Sequence, residues 1–194
     1  MSGDYERVEI SSGEELRSWL TVHHGESPGC WLVTWKKGRG PYVPYQEVVR
    51  ELLCFGWIDS RGQRVDEDRT ALLICPRRPG SGWSRVNKGH LEELLAQGRM
   101  QPAGLAAVDR AKADGSWTRL DEVETLHEPD DLRRALDGTP GARGAWDAFP
   151  RSARRGILEW IASAKRDVTR ARRVALTATE AAAGRRANQW RRPG

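Results

Sequence analysis

Apolar residues first recur at helical spacing at Leu16, Trp19 and Leu20. They follow Ser12-Gly-Glu-Glu15, which has the spacing of a capping box, so the pattern predicts a helix from Gly13 to Val22 that ends at His23-His24-Gly25. In Cys30-Trp-Leu-Val-Thr-Trp35 the period changes to two, with Trp31, Val33 and Trp35 on one face of a strand. Val48, Leu52 and Phe55 return to helical spacing, and Gly56 is the stop. Trp57-Ile58-Asp59 leaves that helix at once, Ser60-Arg61-Gly62 reads as a turn, and a charged ribbon runs from Arg64 to Arg69. Thr70 to Cys75 is too short and too apolar for a surface helix, which predicts a buried strand in the same sheet as Cys30 to Trp35.

Beyond Ser84 the period is helical. Ser84 is positioned to cap a helix carrying Val86, His90, Leu91, Leu94 and Leu95, closed by Gly98. Pro102 opens another, with Leu105 and Val108 inward and Gly115 after its end. Later helices carry Leu132 with Leu136, then Trp146 with Phe149, then Ile157, Trp160 and Ile161. The last, from Val168 to Ala183, is expected to pack through Ala171, Val174, Ala175 and Ala178. These elements predict an α+β protein with a small, mainly antiparallel sheet in its N-terminal half and an all-helical C-terminal half. The expected division is an α+β domain over 1–84 and a helical region over 85–184 packed on it, its final helices spanning about 128–183. A disordered basic tail is expected at 185–194.

At 194 residues the chain is long enough to bury a real core. Its mean hydropathy of −0.68 is low, and nine tryptophans partly compensate because each can bury a large area. The start has no basic and apolar leader pattern, and no apolar run approaches the roughly 20 residues needed to cross a bilayer, so a cytoplasmic protein is expected. Cys30, Cys54 and Cys75 lack CxxC spacing and sit in apolar segments, as buried free thiols do. From Arg151 onward eleven arginines and Lys165 face Glu159, Asp167 and Glu180. That third carries +9, leaving −4 for the first 150 residues of a chain whose total is +5. Such asymmetry points to an acidic protein partner at the basic helices.

Chemistry concentrates between Pro44 and Ser84. In Pro76-Arg77-Arg78-Pro79-Gly80 two prolines fix the backbone around two guanidinium groups, which can bind carboxylate or phosphate. Lys36-Lys37 stands at a strand end, and the Gly38-Arg-Gly40 that follows lacks the pattern of a phosphate-binding loop. Lys36, Lys37, Arg77 and Arg78 are the candidate anion anchors, Trp57 and Trp83 the candidate walls, and Asp59 an accompanying polar group. If the two segments form the arms of a ribbon, Asp59 and the arginines are expected at opposite ends, which argues against an Asp59–Arg77 ion pair. The His23-His24 pair has no third ligand at suitable spacing, so no metal is expected, and no cofactor fingerprint occurs.

FGWIDS at 55–60, PRRPGSGWSRVN at 76–87, GRMQPAGLAAVDRAKADGSW at 98–117 and SAKRDVTRARRV at 163–174 strongly resemble the YdeI/OmpD-associated family. The resemblance runs in order from about Trp31 to Val174. It implies a bacteriocin-protection type of protein, involved in tolerance to antimicrobial compounds, and carries no reaction or catalytic residues with it. The reading that follows is binding of a small molecule or peptide in a cleft walled by tryptophan and rimmed by cations. One alternative is an enzyme in the same cleft, with Asp59 as general base, joined by Tyr45 or Cys54. Another is nucleic-acid binding through the basic C-terminal helices, which no recognised nucleic-acid motif supports.

Overall fold

The computed structural model describes residues 5–188. The chain forms two compact units, Met1–Trp117 and Thr118–Gly194. The first runs β1 (Arg7–Glu9), α1 (Gly13–His23), β2 (Cys30–Trp35), α2 (Tyr45–Cys54), β3 (Trp57–Arg64), β4 (Arg69–Pro76), α3 (Arg85–Ala96) and α4 (Pro102–Ala113). The four strands make one sheet in the order β1-β2-β4-β3. β2 pairs antiparallel with β4, and β4 with β3, as the apolar runs predict; β1 lies parallel to β2, so the sheet is mixed.

Local sequence explains most of these boundaries. Ser12 Oγ accepts a hydrogen bond from Glu15 N at 3.2 Å, and the Glu15 carboxylate accepts from Ser11 N at 2.7 Å, closing the start of α1. Ser84 Oγ caps α3 by accepting from Asn87 N at 3.2 Å. α2 stops at Gly56, whose φ of +72° is left-handed. A Cβ there would stand 2.9 Å from both Ala103 O and Ala107 Cβ, so close packing on α4 adds a second demand for glycine. The turn expected at Ser60-Arg61-Gly62 is instead a bulge within β3, where the register shifts between Asp59 and Gly62. The chain reverses after Arg64, where Asp66 Oδ1 accepts from Asp68 N and Arg69 N at 2.9 and 2.7 Å.

The core of the first unit joins Leu16 and Leu20 of α1, Leu32 of β2 and Leu52 of α2 to Leu94 of α3 and Val108 of α4. Sharing that core places α3 and α4 in the N-terminal unit, so the compact boundary falls after Trp117 and not after Ser84. Mean periodicity could not reveal this, because a helix packed on a sheet and one packed on helices read alike.

The second unit contains α5 (Asp121–Glu124), α6 (Asp130–Asp137), α7 (Ala142–Asp147), α8 (Arg151–Ala162) and α9 (Asp167–Ala182). Leu132, Leu136, Trp146, Ile157 and Ile161 form its core. α9 buries Val174, Thr177, Ala178 and Ala181 and exposes Ala171 and Ala175, a rotation from the expected face. Trp160 is half-buried at the edge of the core with the Arg173 guanidinium 4.9 Å above its ring. Ala187 is 3% exposed within this core, so 185–188 are not a loose tail; the rest of that expected segment, 189–194, lies outside the described residues. Among the described residues no helix is long and apolar enough to cross a membrane.

Candidate functional site

One face of the sheet carries the cross-strand pairs Cys30–Ile74, Leu32–Leu72 and Thr34–Thr70. Cys30 and Ile74 are fully buried in the core with Leu16 and Leu52. Toward Thr34 and Thr70 the cover ends, and the same face becomes the floor of a groove of about 620 Å³. Val43, Val48, Tyr42 and Tyr45 line it from the connection after β2 and the start of α2. Tyr42 and Tyr45 are 44% and 51% exposed, so aromatic surface is available to an occupant.

Lys36 and Lys37 both line this groove, and they differ in what they offer. Lys36 Nζ donates to Asp66 O at 3.0 Å and Glu67 O at 2.6 Å, which ties the ammonium to the β3–β4 turn. Arg64, also in the lining, is held by Asp66 O at 3.0 Å and the Glu67 carboxylate at 2.7 Å. Lys37 is exposed and makes no ion pair among the described residues. The lysine pair thus supplies one structural cation and one available cation.

Tyr45 Oη donates to Asp59 Oδ2 at 3.0 Å, bringing together two groups that stand fourteen residues apart. Burial, with the Asp59 carboxylate beside it, pushes the Tyr45 hydroxyl up to about 12. Cys54, the other proposed companion of Asp59, is buried in the core, and burial raises its thiol. A neutral buried thiol is no nucleophile.

The remaining predicted residues lie elsewhere in the unit. Trp57 is 1% exposed in the core, its ring edge-on to Trp19 at 5.7 Å and its Nε1 donating to His24 O at 3.2 Å. Trp83 is equally buried, with the Arg77 guanidinium 4.0 Å above its ring. Arg77 is 5% exposed and Arg78 is exposed, so of two adjacent guanidiniums one turns inward and one outward. Arg77, Arg78 and Trp83 share a cavity of about 10 Å³ that does not include Lys36 or Lys37. The single pocket expected from the sequence is therefore two separate places, and Trp57 belongs to neither lining.

Asp59 and Arg77 do lie at the same end of the ribbon, since Trp57 at the start of β3 pairs with Pro76 at the end of β4. The expectation of opposite ends was an error of hairpin geometry: the first residue of one arm faces the last of the other. The Asp59 charge favours the Arg77 cation, and the two form no ion pair among the described residues.

Trp31 and Trp35 alternate with Leu32 and Thr34 along β2, with Arg61 and Arg69 stacked over their rings at 5.4 and 5.8 Å, and Trp35 also lines the groove. His23 stacks on Trp19 at 4.9 Å, while His24 Nδ1 lies 2.8 Å from Leu20 O. Among the described residues no group of three potential ligands could hold a metal.

In the second unit, several arginines are already engaged. Arg170 makes a bidentate pair with Asp131 at 2.7 and 3.0 Å, and Arg155 meets Glu124 at 3.0 Å. Arg143 bridges Glu128 and Asp137 at 2.8 Å each. Arg166 and Arg172 remain without ion pairs among the described residues and flank Val168 and Leu176, which are 82% and 39% exposed.

Two family models match the chain. Residues 8–107 match a domain of unknown function, DUF8412, and residues 125–184 match the family described as bacteriocin-protection, YdeI or OmpD-associated. The sequence blocks at 55–60 and 76–87 thus fall within the first match, and the block at 163–174 within the second. No curated protein and no solved structure matches the chain.

Proposed function

We propose that this chain, which belongs to the DUF8412 family through residues 8–107 and matches the bacteriocin-protection, YdeI or OmpD-associated family over residues 125–184, acts by binding. The occupant is an amphipathic small molecule or peptide segment, held in the groove over β2 and β4. The observation that carries this reading is the groove itself: about 620 Å³, within the size range of small-molecule sites, with an apolar floor and two exposed tyrosines. Leu32 and Leu72 favour an apolar or aromatic body, and Lys37 favours an anionic group at one end. Holding an antimicrobial compound in this way would lower its free concentration, which is a route to tolerance without turnover.

The test is calorimetric titration of the protein with a panel of bacteriocin peptides and amphipathic antibiotics, paired with survival of cells expressing each variant. Tyr42→Ser and Lys37→Ala should weaken binding and tolerance together while leaving the thermal midpoint within about 2 °C. Binding that is saturable but unchanged in both variants would place the ligand outside the groove. No binding across the panel, with tolerance intact in both variants, would remove the proposal.

A further inference from the structure

Arg77 follows the last residue of β4, and its backbone N–H donates to Gly56 O at 2.9 Å, which draws the side chain under the Ser81–Trp83 segment. Only Nη1 is satisfied, donating to Gly82 O at 2.9 Å and Ser81 Oγ at 3.3 Å. Arg77 Nε and Nη2, Trp83 Nε1 and Ser116 Oγ are all buried and have no hydrogen-bond partner among the described residues. Arg77, Trp83 and Ser116 are 5%, 1% and 1% exposed, and all three line the same cavity of about 10 Å³. Four unsatisfied groups on three residues that line one small cavity are unusual, because buried polar atoms in native proteins are almost always paired.

We propose that this cavity is a binding site for one small monatomic anion, with chloride as the physiological candidate. Its volume admits about one water-sized particle, which excludes phosphate or a peptide carboxylate with its substituents. The guanidinium and indole nitrogens here only donate and the serine hydroxyl is able to, so an anion accepts from all of them, whereas a water would have to turn its own hydrogens toward Ser116 Oγ or Asp114. Charge favours an anion too. Arg77, Arg78 and Arg110 line the cavity with the carboxylate of Asp114, and the Asp59 charge acts on Arg77 from outside the lining, so cations still outnumber carboxylates. The Asp114 carboxylate already accepts from Ser116 N and Gly80 N at 2.9 Å each. Burial pushes the Arg77 guanidinium down to about 10, so it keeps its charge at neutral pH. The anion would neutralise a buried cation that has no ion-pair partner among the described residues, and would tie the Pro76–Gly80 loop to the end of α4.

Crystals grown in bromide test the site directly, since bromide scatters anomalously and water does not. An anomalous peak between Arg77, Trp83 and Ser116 is expected; an ordinary water refined there would overturn the proposal. In solution, the thermal midpoint should rise saturably with chloride when gluconate keeps ionic strength constant. Ser116→Ala removes one donor with little change of shape, and Trp83→Phe removes another together with part of a buried ring, so the thermal midpoint without chloride is measured for each. Each should raise the chloride concentration needed for half the effect by about tenfold, the weight of one hydrogen bond to a charged group. A chloride response identical in wild type and both variants would overturn the site even if Arg77→Gln fails to fold.

Discussion

Arg17 Nη1 meets the Glu51 carboxylate at 2.9 Å, joining α1 to α2, and Arg99 closes on the other carboxylate oxygen. The three are not equivalent: Glu51 is 2% exposed, while Arg17 and Arg99 are 29% and 42% exposed. Deleting an arginine strands part of a buried charge, whereas deleting the carboxylate frees cations that can still reach water. Arg17→Ala should therefore cost about 3 kcal/mol, and Glu51→Gln nearer 1 kcal/mol. Urea unfolding at neutral pH checks the order; equal losses would show that the triad does not behave as a buried anion served by exposed cations.

Gly56 and Gly98 both have left-handed φ, +72° and +65°, but a Cβ at Gly98 would meet nothing within 4 Å. Gly98→Ala should cost about 1–2 kcal/mol, the backbone component alone. Gly56→Ala carries the same component plus the clash with Ala103 and Ala107, and should lose at least about 1 kcal/mol more. Thermal midpoints of the two variants side by side decide it, and a Gly98→Ala loss as large as that of Gly56→Ala would show that α4 yields.

Trp146 and Trp160 of the second unit differ in burial. Trp146 is fully buried and its Nε1 donates to Glu128 Oε1 at 2.7 Å, so Trp146→Ala should cost about 3–5 kcal/mol. Trp160 is half-buried beneath Arg173, and Trp160→Ala should cost about half as much. Thermal unfolding of both variants is the check, and a larger loss at Trp160 would contradict the packing.

Tyr45 offers a titration. Its hydroxyl loses its proton at about 12 in the folded chain against a usual 10.0, so the neutral form is favoured by folding. The sign follows: the stabilisation is fully present below pH 10 and is lost as pH rises toward 12. Ultraviolet titration of wild type against Tyr45→Phe isolates this phenolate. Asp59→Asn should bring the midpoint part of the way down, since burial remains while the carboxylate's contribution is gone. An unchanged midpoint would mean that the 3.0 Å contact is not formed in solution.

What the sequence made legible follows from contrast between neighbours. β2 and β4 stand out because uniformly apolar runs interrupt polar surroundings, and the caps at Ser12 and Ser84 are local chemistry. α9 was rotated because alanine lies on several of its faces, and Ala171 and Ala175 look no different from Ala178 and Ala181. β1 escaped notice because Arg7-Val-Glu9 offers only one apolar residue, and its strand form depends on lying beside β2. The inward turn of Arg77 beside an outward Arg78 has no local signal; it depends on Trp83 arriving beneath the guanidinium after the chain has turned. Tyr42 and Tyr45 were readable only as connection and helix start, because a groove is made where a helix falls short of covering a sheet, and that length is a tertiary fact.

The bulge in β3 has a further effect on how this protein behaves among copies of itself. β1 and β3 are the two borders of the sheet, where unpaired backbone groups invite another strand. β1 is three residues long and flanks its valine with Arg7 and Glu9. β3 breaks its register between Asp59 and Gly62 and ends in charged Arg61 and Arg64. Neither border presents a long, flat, regular template. The same irregularity that displaced the turn thus discourages edge-to-edge aggregation of a small sheet.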